Sequence, residues 1–208
     1  MAKKNIVPGQ HFKVGGIDWT VLEVEELGAL CISTHIIDRS AFDTLSFRND
    51  LRSATVANDV YSHVTAALER EGSPDELLRV LCVDLTGEDG LEDYEAFYSR
   101  VGLLTCNQYR RLRRFIPPVK DIWWTATPSS PVENAVEAIG LDGTLQRRRT
   151  VTVCGLRPTV RFDRTALSEL FDRKSDEDHQ KEMRGHALDM VHHLIAAWDL
   201  IADEVFPV

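Results

Sequence analysis

The stretch QHFKVGGIDWTVLEV, residues 10–24, places a pair of glycines between two short runs of strand-forming residues. Gly15 and Gly16 can both adopt positive φ angles, so the pair is a strong local signal for the tight turn of a β-hairpin. Apolar and polar residues alternate from 17 to 21, which is typical of a strand with one buried face. A third run, at 28–37, is apolar enough for a central strand. The sequence therefore predicts a three-stranded meander at the start of an α+β fold.

Two internal segments have helical periodicity. Apolar residues at three- and four-residue steps over 48–72 predict a helix that packs on the sheet, and Gly72 is a suitable end for it. Thr105 is a suitable N-cap for a second helix over 106–115, because the proline pair that follows cannot continue it. From 122 to 162 the pattern returns to short strands joined by turns.

The end of the chain predicts a different architecture, a short helix at 166–174 and then a long amphipathic helix over about 178–205. A helix of roughly 28 residues extends about 42 Å, which exceeds the roughly 30 Å diameter of a small domain. Part of its apolar stripe should therefore project, and a second copy of the chain is the simplest surface to cover it. The stripe contains Met183, Met190, Leu194, Trp198, Ile201 and Val205. We accordingly divide the chain into a domain at 1–163 and a helical extension at 164–208.

Composition places the chain among ordinary folded proteins. It has 208 residues, of which 43% are hydrophobic and 27% charged, close to globular averages. The first residues lack the apolar core of a signal peptide, and no apolar run is long enough to span a bilayer, so we expect a cytoplasmic protein. The four cysteines do not have the spacing of a metal site, and we expect them to be buried, reduced thiols. They are Cys31, Cys82, Cys106 and Cys154.

The net charge of −9 is unevenly distributed. The segment 84–95 carries six acidic residues and predicts an exposed loop. Its carboxylates could bind calcium, but their order along the chain does not fit an EF-hand. Arginines concentrate in two groups that would form a phosphate-binding face if they converged. An isoelectric point near 5.3 weighs against nucleic-acid binding. Ion pairs between these arginines and the acidic C-terminal helix are an equally simple explanation. The groups are Arg110, Arg111, Arg113 and Arg114, and Arg147, Arg148 and Arg149.

Four ordered motifs between residues 10 and 162 resemble a family of bacterial domains of unknown function with G-I-x-W-x-V-L, W-W-L-R-S-P and G-V-R-P signatures. In this chain the motif that corresponds to W-W-L-R-S-P has Thr125-Ala126-Thr127 where Leu-Arg-Ser is usual. The motifs are Phe12-x-x-Gly15-Gly16-Ile17-Asp18-Trp19-x-Val21-Leu22, Leu103-Leu104-Thr105, Trp123-Trp124-x-x-x-Pro128 and Gly155-Leu156-Arg157-Pro158.

The resemblance implies a C-type-lectin-like fold, which is related to formylglycine-generating enzymes and phage receptor-binding proteins. It implies short antiparallel strands with packed helices. The calcium-dependent sugar motifs of true lectins are not in the sequence, and Cys154 has no neighbouring cysteine of the kind that formylglycine-generating enzymes use. The resemblance therefore implies a fold and supplies no cofactor or catalytic mechanism.

Three conspicuous side chains in these motifs have both a structural and a binding interpretation. Trp123 and Trp124 are adjacent on a strand, so their rings point to opposite faces. One or both are candidates for a stacking platform, while core packing is the structural alternative. Arg157, between a glycine and a proline, is placed either to hold a loop through backbone carbonyls or to bind an anion.

A metal site is the alternative hypothesis for the C-terminal helix. His186, Asp189 and His193 fall at i, i+3 and i+7 and share one helix face, so they are candidate ligands of a transition metal. That arrangement would make the chain a metal-dependent enzyme, whereas solvent-exposed or interface histidines are the structural alternative.

We expect the chain to be a non-enzymatic protein-interaction module without a cofactor. A phage or mobile-element inhibitor of a host defence complex, of the anti-CRISPR kind, fits the resemblance and the acidic charge. The expected partners are a protein and a second copy of the chain, with neither nucleic acid nor membrane. The candidate binding residues are Trp123, Trp124, Arg157, Arg110, Arg114, Arg147, Arg148, Arg149 and Trp198.

Overall fold

The computed structural model describes residues 5–130, 132–173, 183–186 and 188–191. This part of the chain is α+β with antiparallel sheets, as the sequence predicts. The contacts group residues 5–167 into one compact unit and assign the residues from 168 onward to another. No helix within the described ranges is long and apolar enough to cross a membrane.

The strands are β1 His11–Val14, β2 Ile17–Val24, β3 Gly28–Ser33, β4 Asp38–Ala41, β5 Leu78–Arg79, β6 Leu81–Val83, β7 Phe97–Ser99, β8 Val101–Leu103, β9 Trp123–Pro128, β10 Ala135–Ile139, β11 Leu145–Arg149, β12 Val153–Leu156 and β13 Pro158–Asp163. The helices are α1 Thr55–Leu68, α2 Pro74–Leu77 and α3 Cys106–Leu112, which continues as a 3-10 turn at Arg113–Phe115. Residues 164–173, 183–186 and 188–191 are also helical.

The first sheet begins with the predicted meander, which is confirmed. Its order is β1-β2-β3-β13-β5, and β8 also pairs with β13. The hairpin turn needs glycine, because Gly15 has a φ of 63° and a Cβ there would lie 2.5 Å from the carbonyl oxygen of Ala67. Trp19 is fully buried and its ring meets Phe162 of β13 edge-on, with centroids 5.4 Å apart. This contact joins β2 and β13 in one core.

The second sheet has the order β11-β10-β9-β12-β4 and contains both candidate tryptophans. Strand β9 pairs in parallel with β12, at Trp123 and Gly155, while its other neighbours are antiparallel. This pairing brings the tryptophan motif beside the Gly-Leu-Arg-Pro motif. A third, two-stranded sheet consists of β6 and β7.

Both predicted internal helices are present. Helix α1 buries a stripe of side chains at Val56, Val60, Val64 and Leu68, but it begins at Thr55, seven residues later than the pattern predicts. The residues before it form turns that are fixed by other contacts, including those of Asn49 with the carbonyl oxygens of Ser129 and Ala135. The N-cap of α3 is as predicted: Thr105 and Gln108 form a reciprocal capping box.

One predicted burial is wrong. Cys31, Cys106 and Cys154 are free and buried, but Cys82 is free and exposed. Cys82 is the middle residue of β6, where Leu81 and Val83 point inward, so strand alternation turns its thiol toward solvent. The acidic segment 84–95 is a loop without helix or strand, as predicted.

The stripe of the long C-terminal helix is only partly within the described residues. Met183 and Met190 lie in helical stretches and are 58% and 62% exposed. The remaining members fall outside the described ranges: Leu194, Trp198, Ile201 and Val205.

Candidate functional site

A cavity of about 200 Å³, which we call the arginine cavity, lies where the tryptophan and Gly-Leu-Arg-Pro motifs meet. Helix α3 contributes Tyr109 and the following turn contributes Arg113. Strand β9 contributes Trp123, the β10–β11 turn contributes Asp142, and Arg157 enters from between β12 and β13. The cavity therefore combines two guanidinium groups, a carboxylate and two aromatic rings.

Arg157 is held almost completely by neutral acceptors. Its Nε and Nη2 donate to the carbonyl oxygen of Ser33 at 3.1 and 2.9 Å, and Nη2 also donates to that of Thr34 at 3.1 Å. Its Nη1 donates to the carbonyl oxygen of Pro117 at 3.1 Å. The guanidinium carbon lies 4.9 Å from the ring centroid of Trp123, at cation–π distance. These contacts match the structural interpretation of this arginine and also fix it in the cavity wall.

The charge of Arg157 has no acidic counterpart nearby. The residue is only 1% exposed, and among the described residues no carboxylate forms an ion pair with it. Burial lowers the pKa of its guanidinium to about 10, against a smaller opposing effect of Tyr109. The side chain therefore remains a cation at neutral pH, although its burial destabilises the charged form.

The opposite wall is fixed by contacts between α3 and the β10–β11 turn. The Tyr109 hydroxyl donates to the carbonyl oxygen of Gly143 at 2.9 Å, and the Tyr109 ring meets Trp123 edge-on at 5.7 Å. Arg113 lies over the Tyr109 ring at 5.6 Å. A Cβ on Gly143 would lie 2.7 Å from Nη2 of Arg113, so this glycine leaves room for the second guanidinium. Hydrogen bonds from Thr144, with a smaller contribution from Arg113, lower the pKa of Asp142.

The other candidate tryptophan does not line the arginine cavity. Trp124 is fully buried on the opposite face of β9, where its Nε1 donates to the carbonyl oxygen of Ser40 and its ring meets Phe42 at 5.4 Å. The expectation that the two rings point to opposite faces is therefore correct. Trp124 belongs to the core, whereas Trp123, although 2% exposed, borders the cavity.

Three of the seven arginines in the two groups form ion pairs with acidic side chains within residues 5–167. Arg110 pairs with Glu88, Arg111 with Glu23, and Arg147 with Glu137. Arg114 stacks over Phe115 at 4.5 Å, Arg148 donates to Gln146, and Arg149 is exposed.

Both groups reach the acidic loop. Arg110 meets it at Glu88, while hydrogen bonds from Ser130 and Leu91, together with the charge of Arg147, lower the pKa of the adjacent Asp89. Carboxylates for these arginines thus come from Glu88 in the loop, Glu23 in β2 and Glu137 in β10. Pairing with the acidic C-terminal helix stays a prediction, because most of that segment lies outside the described residues.

A second region, which we call the tyrosine groove, lies between α1 and the short β7 strand. Its cavity measures about 160 Å³ and has an apolar floor that includes Val60, Val101 and Leu103. Two exposed tyrosines are among its lining residues, Tyr61 at 43% and Tyr98 at 76%. The groove thus exposes two aromatic rings beside an apolar depression.

Charge surrounds the tyrosine groove. Arg52 lines it, pairs with Asp50 at 2.7 Å and lies 5.8 Å from the ring centroid of Tyr94. The Asp50 hydrogen bonds, opposed by burial and reinforced by the charge of Glu95, raise the pKa of Arg52. The acidic loop, to which Tyr94 and Glu95 belong, therefore borders the groove.

The sequence analysis did not single out the groove tyrosines. Tyr61 follows the buried Val60 on α1 and lies outside its apolar stripe, so helical geometry places the ring at the surface. Tyr98 is the outward residue of a three-residue strand. An aromatic residue on the polar face of a predicted helix could have indicated Tyr61. The sequence could not show that α1 and β7 line the same groove.

Within the described part, the three buried thiols are poor candidates for catalysis and no cluster of metal ligands is found. Burial raises the pKa of Cys31, that of Cys106 to about 12 and that of Cys154 to about 11, so these thiols are poor nucleophiles at neutral pH. Within the ranges that the structure covers, no three His, Cys, Asp or Glu side chains cluster as metal ligands would. His186 and Asp189 are exposed, and His193 and Trp198 lie outside those ranges.

No protein-family model, curated protein or solved structure matches the chain, so its function has to be inferred from the geometry of the arginine cavity and the tyrosine groove.

Proposed function

We propose that this chain is a non-enzymatic protein-interaction module, a C-type-lectin-like domain that binds its partner through the tyrosine groove. The short antiparallel strands, with α1 and α3 packed against them, are compatible with the fold that the sequence motifs imply. The observation that carries the proposal is the exposure of Tyr61 and Tyr98 in the lining of a cavity that also includes the buried apolar Val60, Val101 and Leu103.

Tyrosines in this setting are suited to protein binding. A tyrosine ring contributes a large apolar area with a polar hydroxyl, and it has few rotatable bonds to immobilise on binding. Tyr, Trp and Arg dominate the residues that carry most of the free energy in protein interfaces. In the groove, Arg52 is already oriented by Asp50 and stands beside the same apolar floor. Aromatic anchors and a pre-oriented arginine therefore lie in one small area.

The charge around the groove favours a basic partner. The chain carries −9 overall, and the loop that borders the groove exposes Asp89, Glu92, Asp93 and Glu95. Complementary charge steers association and discourages partners of the same sign. A nucleic-acid-binding complex has a basic surface of this kind, so we propose an inhibitor that covers such a surface on a bacterial defence complex.

The experiment compares the protein with two groove variants as baits in a bacterial lysate at low and moderate salt. Tyr98→Asp and Tyr61→Asp place a charge on each side of the groove without touching the core. Leu27→Asp is the matched control, because Leu27 is 68% exposed and does not line the groove.

A partner that uses the groove is retained by the unmodified protein and by Leu27→Asp, lost from both tyrosine variants, and retained less well as salt rises. Equal retention by all four proteins, or retention of no protein by the unmodified chain, would contradict the proposal.

A further inference from the structure

We infer that the arginine cavity is a binding site for a small planar organic carboxylate. This inference is independent of the proposed interaction with a protein, because it concerns Trp123, Arg157 and their neighbours rather than the tyrosine groove.

The first observation is a buried cation with which none of the described carboxylates forms an ion pair. Charged side chains are almost never fully buried unless they are paired, because the loss of hydration is compensated only by an opposite charge. Arg157 is 1% exposed and its contacts are to the carbonyl oxygens of Ser33, Thr34 and Pro117, which are polar but neutral. A carboxylate in the cavity would supply the missing negative charge.

The second observation is the donor count of the guanidinium. Arginine has five N–H donors, and the four hydrogen bonds to carbonyl oxygens use one on Nε, two on Nη2 and one on Nη1. One Nη1 hydrogen remains without an acceptor among these contacts. Arg157 lines the cavity, and we infer that an anion bound there accepts this hydrogen.

The third observation is a second cation in the lining of the same cavity. Arg113 also lines the cavity, and its guanidinium is positioned over Tyr109 and beside Gly143. Among the described residues, Asp142 is the one carboxylate in the lining, and its Oδ1 already accepts from the backbone N–H and the hydroxyl of Thr144. Two guanidinium groups against one carboxylate leave the cavity with a positive charge.

The shape of the cavity indicates a small, flat ligand. A volume of about 200 Å³ lies below the ~300 Å³ at which pockets for drug-sized ligands begin. Trp123, Pro117 and Pro118 supply flat apolar surfaces that an inorganic anion would leave uncovered. A single ring that carries one carboxylate satisfies both the cations and these surfaces.

The test titrates the protein with benzoate and, in parallel, with benzamide, which has a similar shape but no charge. Binding is followed through the indole N–H resonance of Trp123, identified by its loss in Trp123→Phe. We expect benzoate to shift this resonance saturably in the millimolar range, and benzamide to bind at least about tenfold more weakly, because charge-assisted hydrogen bonds are stronger than neutral ones.

Two arginine variants locate the site without disturbing the buried residue. Arg113→Gln should weaken benzoate binding about tenfold, whereas Arg114→Gln, one residue further along the same turn and outside the cavity lining, should leave it within about twofold. Equal binding of benzoate and benzamide, an equal effect of the two variants, or no saturable shift with benzoate would each overturn the inference.

Discussion

At the scale of single residues, Arg157 connects segments that are far apart in sequence. Its guanidinium joins the end of β3, through Ser33 and Thr34, to Pro117 in the segment before β9. Its place between a glycine and a proline indicated an arginine that holds a loop. Which carbonyls it holds could not be predicted, because Ser33 lies 124 positions away.

Replacement of this arginine should destabilise the fold strongly. Arg157→Met keeps much of the apolar stem but leaves one buried and two partly buried carbonyl groups without this donor, so we expect the free energy of unfolding to fall by about 3 kcal/mol. Arg114→Met is the control, because Arg114 is exposed and should change stability by less than about 0.5 kcal/mol. Urea unfolding measures both values. A loss below about 1 kcal/mol for Arg157→Met would contradict this role.

At the scale of elements, patterns within one segment were more informative than relations between segments. The β1–β2 hairpin and the cap of α3 depend on neighbouring residues, so a glycine pair and Thr105 were enough to predict them. The partners of β13 were not predictable in this way: it pairs with β3, β5 and β8, which come from three separate regions of the chain. The arginine cavity depends on such distant pairings. Single residues of the cavity could therefore be predicted from the sequence, but not that they lie together.

The helix at 164–173 has a cap that the sequence analysis missed. Asp163 Oδ1 accepts from the backbone N–H groups of Thr165 and Ala166 at 2.8 and 2.9 Å, and Oδ2 pairs with Arg79 at 2.5 Å. Although burial alone would raise it, these hydrogen bonds and the charge of Arg79 lower the pKa of Asp163. The cap is therefore an ionised carboxylate at neutral pH.

This cap should make stability depend on pH. Because the pKa of Asp163 is lower in the folded state, its contribution is complete above the unfolded value of about 3.9 and is lost as the pH falls through the folded value. We expect Asp163→Asn to reduce the free energy of unfolding by about 1 kcal/mol at pH 7, and the difference from the unmodified protein to shrink below about pH 4. Urea unfolding at a series of pH values measures it; a difference that is constant with pH would exclude the ionised cap.

At the scale of the whole molecule, exposed apolar side chains remain in the C-terminal helical stretches. Met183 and Met190, seven residues apart, are both largely exposed. In a continuous helix, residues at that spacing lie on one face, so the exposure of Met183 and Met190 is compatible with the stripe that the sequence predicts. The proposal that a second copy covers this stripe stays a prediction.

We predict that the protein is a dimer at micromolar concentration, because a two-fold axis lets one apolar face cover its own copy. Met183→Asp with Met190→Asp should shift it to the monomer, whereas Leu45→Asp, at a site that is 79% exposed in the loop after β4, should not. Light scattering measures the mass of all three proteins. An unmodified protein that is monomeric across this range would exclude the dimer.

The central claim is that the tyrosine groove binds a partner protein, and the affinity of a captured partner tests it most directly. Calorimetric titration of that partner into the protein and into Tyr98→Ala compares the two dissociation constants. The account predicts that Tyr98→Ala raises the dissociation constant about thirtyfold, as the loss of an aromatic anchor worth about 2 kcal/mol would. An unchanged dissociation constant would contradict it.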